Sequence, residues 1–354
     1  MRALVLSGGS GLRCRPFTHS MPKQLIPIAN KPVLHYVIEN IRDLGITDIG
    51  LVVGLWEREI AESIGDGSRF GVRVTYLRQE APLGLAHAVQ VGRPFLGDDD
   101  FLLHLGDNFL AEGIAEVAAD FAARRPPAQL LLHKVADPSS YGVAEVNADG
   151  SVRRLVEKPA QPRTDLAVVG VYFLTPDIHA AIDAIRPSSR GELEITDAIQ
   201  WLIDHGARVT SREYGGFWKD VGRIGDILAC NRRVLDGLRP AVRGQVDRES
   251  MLHGQVVVED GARVLRSRVD GPVIIGAGTV VEDSWIGPGT SVGRDCVIHN
   301  SGIQESLLLD GAQITGVRGA GESLIGRRAS IRRIAANTVA HRLMLGDDTT
   351  VEVP

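Results

Sequence analysis

The C-terminal third of this 354-residue chain is constrained by a six-residue repeat. Such a period, with one aliphatic and one small position, is what a three-sided parallel β-helix requires, because each hexad forms one flat face and the small residue fits near the corner. The gap at residues 304–321 predicts a loop or an irregular coil. The aliphatic positions are Ile274, Val280, Ile286, Val292, Ile298, Ile325 and Ile331, and the small residues four places after them are Gly278, Ser284, Thr290, Cys296, Gly302, Ala329 and Ala335.

The part of the chain before the repeat alternates strand-like and helix-like segments. Strand patterns occupy residues 3–6, 49–53, 72–77 and 102–105, and helix patterns occupy residues 33–44 and 224–238. This alternation predicts an α/β domain with a mostly parallel sheet, in which ligands bind beyond the carboxyl ends of the strands. A break at Arg239 and Pro240 predicts two domains, residues 1–238 and 239–354.

Composition and charge limit the kinds of molecule that this chain is expected to bind. The net charge is −5, with 39 basic and 44 acidic residues spread along the chain, so no basic surface for nucleic acid or an anionic membrane is expected. Three scattered cysteines, Cys14, Cys230 and Cys296, favour neither a disulfide framework nor a zinc site. With no signal-peptide pattern and no apolar run near the ~20 residues of a membrane span, we expect a cytoplasmic protein that binds small molecules or other subunits.

A glycine-rich turn follows the first predicted strand. The strand leads into Gly8, Gly9 and Gly11, and the cationic residues Arg13 and Lys23 follow. Glycines leave backbone N–H groups accessible to an anion, and the two cations add positive charge. The spacing matches neither the Walker A motif nor the Rossmann dinucleotide fingerprint. The segment therefore predicts a phosphate-binding turn of another type.

Ordered sequence blocks over about two thirds of the chain resemble a known family. They are similar to the sugar-1-phosphate nucleotidyltransferases, and most closely to the long-form glucose-1-phosphate thymidylyltransferases. The C-terminal repeat resembles left-handed hexapeptide-repeat domains. The resemblance implies a Rossmann-like nucleotidyltransferase domain followed by a left-handed parallel β-helix. The blocks are GGSGLRCRPFT, PKQLIPIANKPVLHY, QEAPLGLA (79–86), LGDN (105–108), YGV (141–143), VEKP (156–159), RGELEITD (190–197) and WKDVG (218–222).

The implied reaction transfers a nucleoside monophosphate from dTTP or UTP to a sugar 1-phosphate, with glucose 1-phosphate the expected acceptor. Two polyanions must meet, so cations, oriented N–H donors and a divalent metal are needed more than a nucleophilic side chain. The resemblance implies Asp107 and Asp220 as ligands of Mg²⁺, which prefers oxygen donors. A turn-forming role for Asp107 and a helix N-cap for Asp220 are alternatives. The implied catalytic residues are Arg13, Lys23, Asp107 and Lys158.

The resemblance also implies two substrate subsites. An amide such as that of Gln79 donates and accepts in one plane, which suits the O4 and N3–H edge shared by thymine and uracil. The implied nucleotide-binding residues are Gly8, Gly9, Gly11, Arg13, Gln79, Pro82, Gly84 and Asp107. The implied sugar-phosphate-binding residues are Gly142, Glu157, Lys158, Val168, Tyr172 and Arg190.

Two departures from the family pattern leave alternatives open. Leu12 and Val221 stand where the family usually has threonine, so two hydroxyls near the phosphates and metal are missing. A catalytically weak regulatory subunit that binds nucleotide is one alternative, and an enzyme for another sugar or a cyclitol phosphate is a second. A third adds an acyltransferase in the repeat domain, with His299 as its base. We favour a β-helix that serves as a scaffold for a homo-oligomer.

Overall fold

The computed structural model describes residues 1–9, 11–333 and 348–350. Two compact units are present, one of Met1–Ser10 and Val33–Asp220 and the other of Gly11–Pro32 and Val221–Pro354. The helices are α1 (Val33–Asp43), α2 (Glu57–Ile64), α3 (Leu85–Leu96), α4 (Ala115–Arg124), α5 (Asp177–Ala184), α6 (Ile195–Asp204) and α7 (Ile224–Leu235), with short 3₁₀ turns at Leu12–Cys14, Phe17–His19, Lys23–Leu25 and Ser68–Phe70.

The strands fall into two sets. Those up to residue 220 are β1 (Arg2–Ser7), β2 (Pro27–Ile28), β3 (Lys31–Pro32), β4 (Asp48–Val53), β5 (Arg73–Arg78), β6 (Phe101–Leu105), β7 (Asn108–Leu110), β8 (Ala128–Lys134), β9 (Gly142–Val146), β10 (Val152–Glu157), β11 (Leu166–Leu174), β12 (Thr210–Glu213) and β13 (Trp218–Asp220). The later ones are β14 (Ala241–Val242), β15 (Gln245–Val246), β16 (Met251–His253), β17 (Val256–Val258), β18 (Arg263–Leu265), β19 (Arg268–Asp270), β20 (Val273–Ile275), β21 (Val280–Glu282), β22 (Trp285–Ile286), β23 (Thr290–Val292), β24 (Val297–His299), β25 (Gly302–Ile303), β26 (Leu307–Leu308), β27 (Gln313–Thr315), β28 (Arg318–Ala320), β29 (Leu324–Ile325) and β30 (Ser330–Arg332).

The first unit is built on a nine-stranded sheet with β1 near its middle. The order is β10-β9-β11-β6-β1-β4-β5, and β8 joins β11 and β12. β1 pairs in parallel with β4 and β6, and β5 pairs in parallel with β4, which confirms the predicted parallel arrangement there. The strands β9, β10 and β11 add an antiparallel part that the sequence did not indicate. A buried core that includes Leu4, Leu103 and Ile199 joins this sheet to its helices.

The second unit contains the predicted left-handed parallel β-helix. Three parallel sheets stack the strands β14-β17-β20-β23-β26-β29, β15-β18-β21-β24-β27-β30 and β16-β19-β22-β25-β28. Val264 pairs with Val281, and Val281 pairs with Ile298, so one coil takes 17 residues rather than three full hexads. One of the three faces is therefore a residue shorter than the strict repeat requires.

This shorter coil corrects the hexad assignment at several positions. Ile275 and Val281 are fully buried, whereas their neighbours Ile274 and Val280 are less so. Ile331 is 42% exposed in the last described coil, and Ala335 lies outside the described residues. Of the two structures predicted for residues 304–321, a loop or an irregular coil, the second is observed: Ile298 pairs directly with Ile314, so the β-helix continues there with a 16-residue coil, and the pairing of β25 with β28 has a register shift.

The second unit also contains a segment from the beginning of the chain. The hairpin of β2 and β3 turns through Ala29 and Asn30, both of positive φ, and packs on α7 and the β-helix. The buried side chain of Asn231 on α7 accepts from the Ala29 N–H (2.9 Å) and donates to the Gly289 carbonyl (3.1 Å). Contacts thus group α7 with the β-helix, and a domain boundary at residue 238 stays a prediction.

Two further findings concern the cysteines and the helices. Cys14, Cys230 and Cys296 are buried and form no disulfide. None of the helices in the described part of the chain has the length and apolar character needed to cross a membrane.

A serine ladder at one corner of the β-helix yields a stability prediction. Each hydroxyl accepts from the N–H of the next serine: Ser250 from Ser267, Ser267 from Ser284 and Ser284 from Ser301. Ser284→Ala leaves the buried Ser301 N–H without its acceptor, so we expect the free energy of unfolding to fall by about 1–3 kcal/mol. Urea denaturation followed by circular dichroism measures the change.

The matched control is Ser323→Ala. Ser323 is half-buried, its hydroxyl donates to the Gly321 carbonyl (2.7 Å) in a solvent-exposed hydrogen bond, and none of the described N–H groups donates to it. We expect a change within about 0.5 kcal/mol. Equal effects in the two variants would contradict the assignment of a structural role to the ladder.

Candidate active site

The carboxyl ends of four parallel strands meet at one edge of the first unit. β1 ends before Gly8 and Gly9, β4 before Gly54, β5 before Gln79, and β6 before Gly106 and Asp107. A Cβ built on Gly54 would lie 3.5 Å from the Gly8 carbonyl oxygen and 3.8 Å from that of Gln79. The Gly106 N–H donates to the Leu6 carbonyl (2.9 Å). The structure therefore brings Gly8, Gln79 and Asp107 to the sheet edge where ligands of parallel sheets bind.

Gln79 and Gly84 belong to one tightly packed loop. The Gln79 Nε2 donates to the Gly84 carbonyl (3.2 Å), and the Gln79 Oε1 lies 3.2 Å from the position of a Cβ on Gly8. Gly84 has a φ of +105°, and a Cβ there would collide with the backbone of Leu193. Backbone bonds join Leu193 N–H to Leu83 O (2.8 Å) and Ala86 N–H to Leu193 O (3.0 Å). Pro82 is exposed in the same loop.

Asp107 and Asp220 are brought together by a short pair of strands. β13 pairs antiparallel with β7, and Asp220 lies opposite Asn108. The buried Asn108 donates through Nδ2 to Asp107 Oδ1 (3.0 Å) and accepts through Oδ1 from Trp218 Nε1 (2.6 Å). Helix α7 has Arg223 at its N-cap, so Asp220 does not cap that helix. Asp220 thus lies on the strand paired with the one that directly follows Asp107. Carboxylates are hard oxygen donors, a donor type that fits a divalent cation such as Mg²⁺.

A second polar group surrounds Glu157 at the end of β10. Glu157 pairs with Gly142 across β9 and β10. Its Oε2 accepts from Thr196 Oγ1 (3.1 Å), and its Oε1 lies 3.5 Å from both Lys158 Nζ and the Arg190 guanidinium. A Cβ on Gly142 would lie 2.8 Å from the Thr196 methyl group. Glycine at position 142 thus permits the close approach of β9 to α6.

Burial changes the ionisation of this group. Burial raises the pKa of Glu157 above its ordinary 4.5, although the charges of Lys158 and Arg190 act in the opposite direction. Burial, and then the charge of Glu157, raises the pKa of Tyr172. Val168 and Tyr172 are both buried on β11, and Val168 lies 3.5 Å from the Cβ position of Gly142. The six predicted sugar-phosphate residues therefore lie in one region of the first unit.

Arg190 carries more acidic neighbours than the sequence suggested. Its guanidinium binds Glu194 (2.7 Å) and lies 3.4 Å from Glu192, in addition to Glu157. Ser188 also donates to Glu194 (2.8 Å). These carboxylates offset the charge of Arg190, and a contact of Arg190 with phosphate stays a prediction.

The remaining predicted phosphate-binding residues belong to the second unit. Gly11 has a φ of +67°, its carbonyl accepts from Thr18 Oγ1 (2.8 Å), and a Cβ there would lie 3.5 Å from the Cβ of Lys23. Arg13 lies in the 3₁₀ turn Leu12–Cys14. Gly11 and Lys23 therefore lie close together. Contact of Gly11, Arg13 and Lys23 with a triphosphate stays a prediction.

The two departures from the family pattern differ in environment. Leu12 is 58% exposed, so threonine at this position would meet no packing constraint. Val221 is fully buried, and its carbonyl lies 3.8 Å from the Cys14 sulfur. Valine at position 221 is thus a packing residue.

Sequence reasoning missed several residues that hold predicted site residues in place. Asn108 orients Asp107, Thr196 donates to Glu157, Glu194 binds Arg190, and His87 contacts Gln79 (2.9 Å). Thr196 and Glu194 stand within the block of residues 190–197, and Asn108 within the block of residues 105–108, so proximity to a motif was the available signal. His87 lies just beyond the block that contains Gln79.

Gly84 provides a test of the loop packing. Gly84→Ala adds both a strained φ and a collision with Leu193, whereas Gly191→Ala adds only the strained φ, since no described atom lies within 4 Å of that Cβ position. We expect Gly191→Ala to cost about 1–2 kcal/mol and Gly84→Ala about 1–3 kcal/mol more. Urea denaturation of both variants measures the difference, and equal losses would contradict the packing argument.

Comparisons with known proteins agree with this architecture. A family model described as nucleotidyl transferase matches residues 2–237. A glucose-1-phosphate thymidylyltransferase of Streptomyces antibioticus is 52% identical over 100% of this chain and 99% of its own length. Agl11, a low-salt glycan biosynthesis nucleotidyltransferase of Haloferax volcanii, is 42% identical over 94% of each chain.

A solved structure shows the same fold over about two thirds of the chain. It is that of a Bacillus anthracis protein assigned as a glucose-1-phosphate thymidylyltransferase, in complex with sucrose, and it is 32% identical with a TM-score of 0.61. The match covers 65% of this chain and 94% of the other. The match to the family model and the full-length relatives show that the chain belongs to the nucleotidyl transferase family.

Proposed function

We propose that this protein transfers the thymidylyl group of dTTP to glucose 1-phosphate and releases pyrophosphate. The observation that carries the proposal is the meeting of the turn after β1, Gln79 and Asp107 at one sheet edge. The 52% identity to a glucose-1-phosphate thymidylyltransferase over the whole chain supports this choice of nucleotide and sugar. UTP stays a candidate second nucleotide, because uracil has the same O4 and N3–H edge as thymine.

The proposed reaction forms one bond and breaks one. A phosphate oxygen of glucose 1-phosphate attacks the α-phosphorus of dTTP, and the bond from that phosphorus to the bridging oxygen of the β-phosphate breaks. Pyrophosphate leaves with the electron pair of that bond. No side chain has to form a covalent intermediate, so the residues serve to position the two substrates and to offset their charge.

We assign the side chains of the first unit to three tasks. The backbone of Gly8 and Gly9 offers N–H groups to the triphosphate, and Gln79 faces the base. Glu157 accepts from hexose hydroxyls, and Lys158 contacts the sugar phosphate. The assignment of Gly11, Arg13 and Lys23 to the triphosphate rests on the sequence pattern alone.

Mg²⁺ is the proposed metal, with Asp107 and Asp220 as its protein ligands. The hydrogen bond from Asn108 orients the Asp107 carboxylate, and the pairing of β7 with β13 supplies Asp220 beside it. A bound divalent cation offsets phosphate charge that the described acidic side chains cannot offset. Chelation of divalent metal is therefore expected to abolish turnover.

The two alternatives from other classes have less support. A catalytically weak regulatory subunit was suggested by Leu12 and Val221, but Val221 has a packing role and Asp107, Glu157 and Lys158 are retained. For an added acyltransferase, His299 is the base candidate, and its Nδ1 lies 3.6 Å from Glu282 and 3.9 Å from Asp283. An acyltransferase in the β-helix would leave the proposed base-facing loop of Gln79 and Gly84 without a role.

We further propose a cytoplasmic homo-oligomer. Buried cysteines that form no disulfide suit a reducing compartment. Val242, Met251 and Val297 of the β-helix are large apolar residues with substantial exposure, which suits burial against identical copies. Light scattering of the full-length protein tests the assembly, and a monomer would overturn it.

A pyrophosphate-release assay tests the reaction. Five nucleoside triphosphates and several sugar 1-phosphates are compared, and we expect dTTP with glucose 1-phosphate to give the highest kcat/KM. Robust use of ATP or GTP would contradict the assignment of Gln79 to the base. The proposed class of reaction, nucleotidyl transfer, would still stand. No release with any pair would overturn the proposed function.

The metal assignment has its own prediction. Asp107→Asn and Asp220→Asn retain the shape of the side chain but remove its charge, so we expect kcat to fall by about two to three orders of magnitude, the range for loss of one group that stabilises developing charge. Asp98→Asn, at an exposed position, is the control and is expected to leave kcat unchanged. Near-normal turnover of both site variants, with unchanged melting, would contradict the metal assignment.

Glu157 yields a prediction for pH dependence. Its raised pKa means that protonation begins at a higher pH than for an ordinary glutamate, and the protonated carboxyl loses charge-assisted acceptance from sugar hydroxyls. We expect KM for glucose 1-phosphate to rise as pH falls toward that pKa, while Glu157→Gln shows a raised KM with little pH dependence.

The control for this prediction is Glu145→Gln. Glu145 lies on the neighbouring strand β9 and binds Arg153 (2.6 Å). We expect this variant to keep the pH profile of the unmodified protein. A Glu157→Gln variant with the unmodified profile would show that another group titrates.

A further inference from the structure

The orientation of the Gln79 carboxamide is fixed by two acceptors. Its Nε2 lies 3.2 Å from the Gly84 carbonyl oxygen and 2.9 Å from His87 Nδ1. A carbonyl oxygen can only accept, so the end of the amide that faces Gly84 must be the NH₂ group. His87 Nδ1 must then accept the second hydrogen, which places the proton of a neutral His87 ring on Nε2.

This orientation determines which group Gln79 presents to a base. With both hydrogens of the amide directed to Gly84 and His87, its Oε1 is directed toward Gly8 at the end of β1. An oxygen at this point accepts from the N3–H of thymine or uracil. Cytosine has a lone pair at N3, so the same oxygen repels it. A reversed amide would instead offer NH₂ and would favour cytosine.

We propose that His87 is a positioning residue that gives this enzyme its preference for thymine over cytosine by preventing reversal of the Gln79 amide. The inference rests on the proposed function, in which Gln79 faces the base. His87 does not contact the nucleotide in this proposal and acts only through Gln79.

His87 is suited to this role because its partners are held in place. Gly84 cannot shift easily, since its backbone packs on Leu193. His87 lies in the first turn of α3, which is anchored by the buried residues Ala86, Ala88 and Val89. Reversal of the amide with His87 present would direct the oxygen of Gln79 against the Gly84 carbonyl and would require the ring proton of His87 to move from Nε2 to Nδ1. Without His87, only the Gly84 carbonyl would oppose it.

The test compares three variants of the full-length protein. His87→Phe keeps a ring without an acceptor, His87→Leu removes both the ring and the acceptor, and His87→Asn supplies an amide oxygen close to the position of Nδ1. The measured quantity is the ratio of kcat/KM for dTTP to that for dCTP, in pyrophosphate release with glucose 1-phosphate. His205→Phe, on the exposed end of α6, is the control.

We expect the dTTP-to-dCTP ratio to fall at least about tenfold in His87→Phe and His87→Leu, the size of effect that one or two neutral hydrogen bonds give. The fall should come from KM, with kcat at saturating dTTP little changed. His87→Asn should retain the ratio, and so should His205→Phe. A residue with only a packing role would lower kcat for both nucleotides and leave the ratio unchanged.

Binding measurements separate this inference from the proposed function. Calorimetric titration with dTTP and with dCTP measures the same discrimination without turnover. The role of His87 would be overturned if folded His87→Phe or His87→Leu kept the preference for dTTP over dCTP. It would also be overturned if His87→Asn lost that preference. Absence of pyrophosphate release by the unmodified protein would overturn the proposed function, while the binding ratio would still test His87.

Discussion

Parallel hydrogen bonding of β1 to β4 and β6 is the constraint on which the candidate site depends. Because paired parallel strands run in the same direction, their carboxyl ends deliver Gly8, Gln79 and Asp107 to one edge although these residues are far apart in sequence. Glycine at position 106 permits a close backbone approach at this edge, since a Cβ there would lie 3.0 Å from the Leu6 carbonyl oxygen. The positions of the proposed phosphate-binding turn and of the proposed base-facing loop are thus consequences of one strand register.

The antiparallel half of the sheet supplies a different kind of site. There β9 and β10 place Gly142 opposite Glu157, and α6 adds Thr196 from a third element. A carboxylate buried among two cations and a hydroxyl is an acceptor with fixed direction, suited to sugar hydroxyls. The polar groups of the proposed nucleotide subsite are therefore positioned by strand ends, and those of the proposed sugar-phosphate subsite by strand pairing.

The sequence predicted elements and motifs better than it predicted contacts. The predicted strand at residues 3–6 and helix at residues 33–44 are observed as Arg2–Ser7 and Val33–Asp43, because burial patterns are local. The coil length of the β-helix was missed, since a strict hexad cannot reveal that one face is shorter. The acidic neighbours of Arg190 and the packing role of Val221 were also missed. The packing role of Val221 depends on which elements pack together, which sequence spacing does not record, whereas Glu192 and Glu194 lie two and four residues from Arg190 and could have been read from the sequence.

The second unit shows that a segment can follow a motif directly in sequence and still pack with a different part of the structure. The segment Gly11–Pro32 carries Arg13 and Lys23 and follows Gly8 and Gly9 of the predicted phosphate-binding turn in sequence, yet it packs with α7 and the β-helix. Asn231 joins Ala29 of the hairpin to Gly289 and Ser291 of the β-helix through buried hydrogen bonds. An unpaired buried amide is costly, so this junction favours one arrangement of hairpin, helix and β-helix. The β-helix therefore supports the segment that bears two predicted phosphate-binding cations, a structural role in addition to any role in assembly.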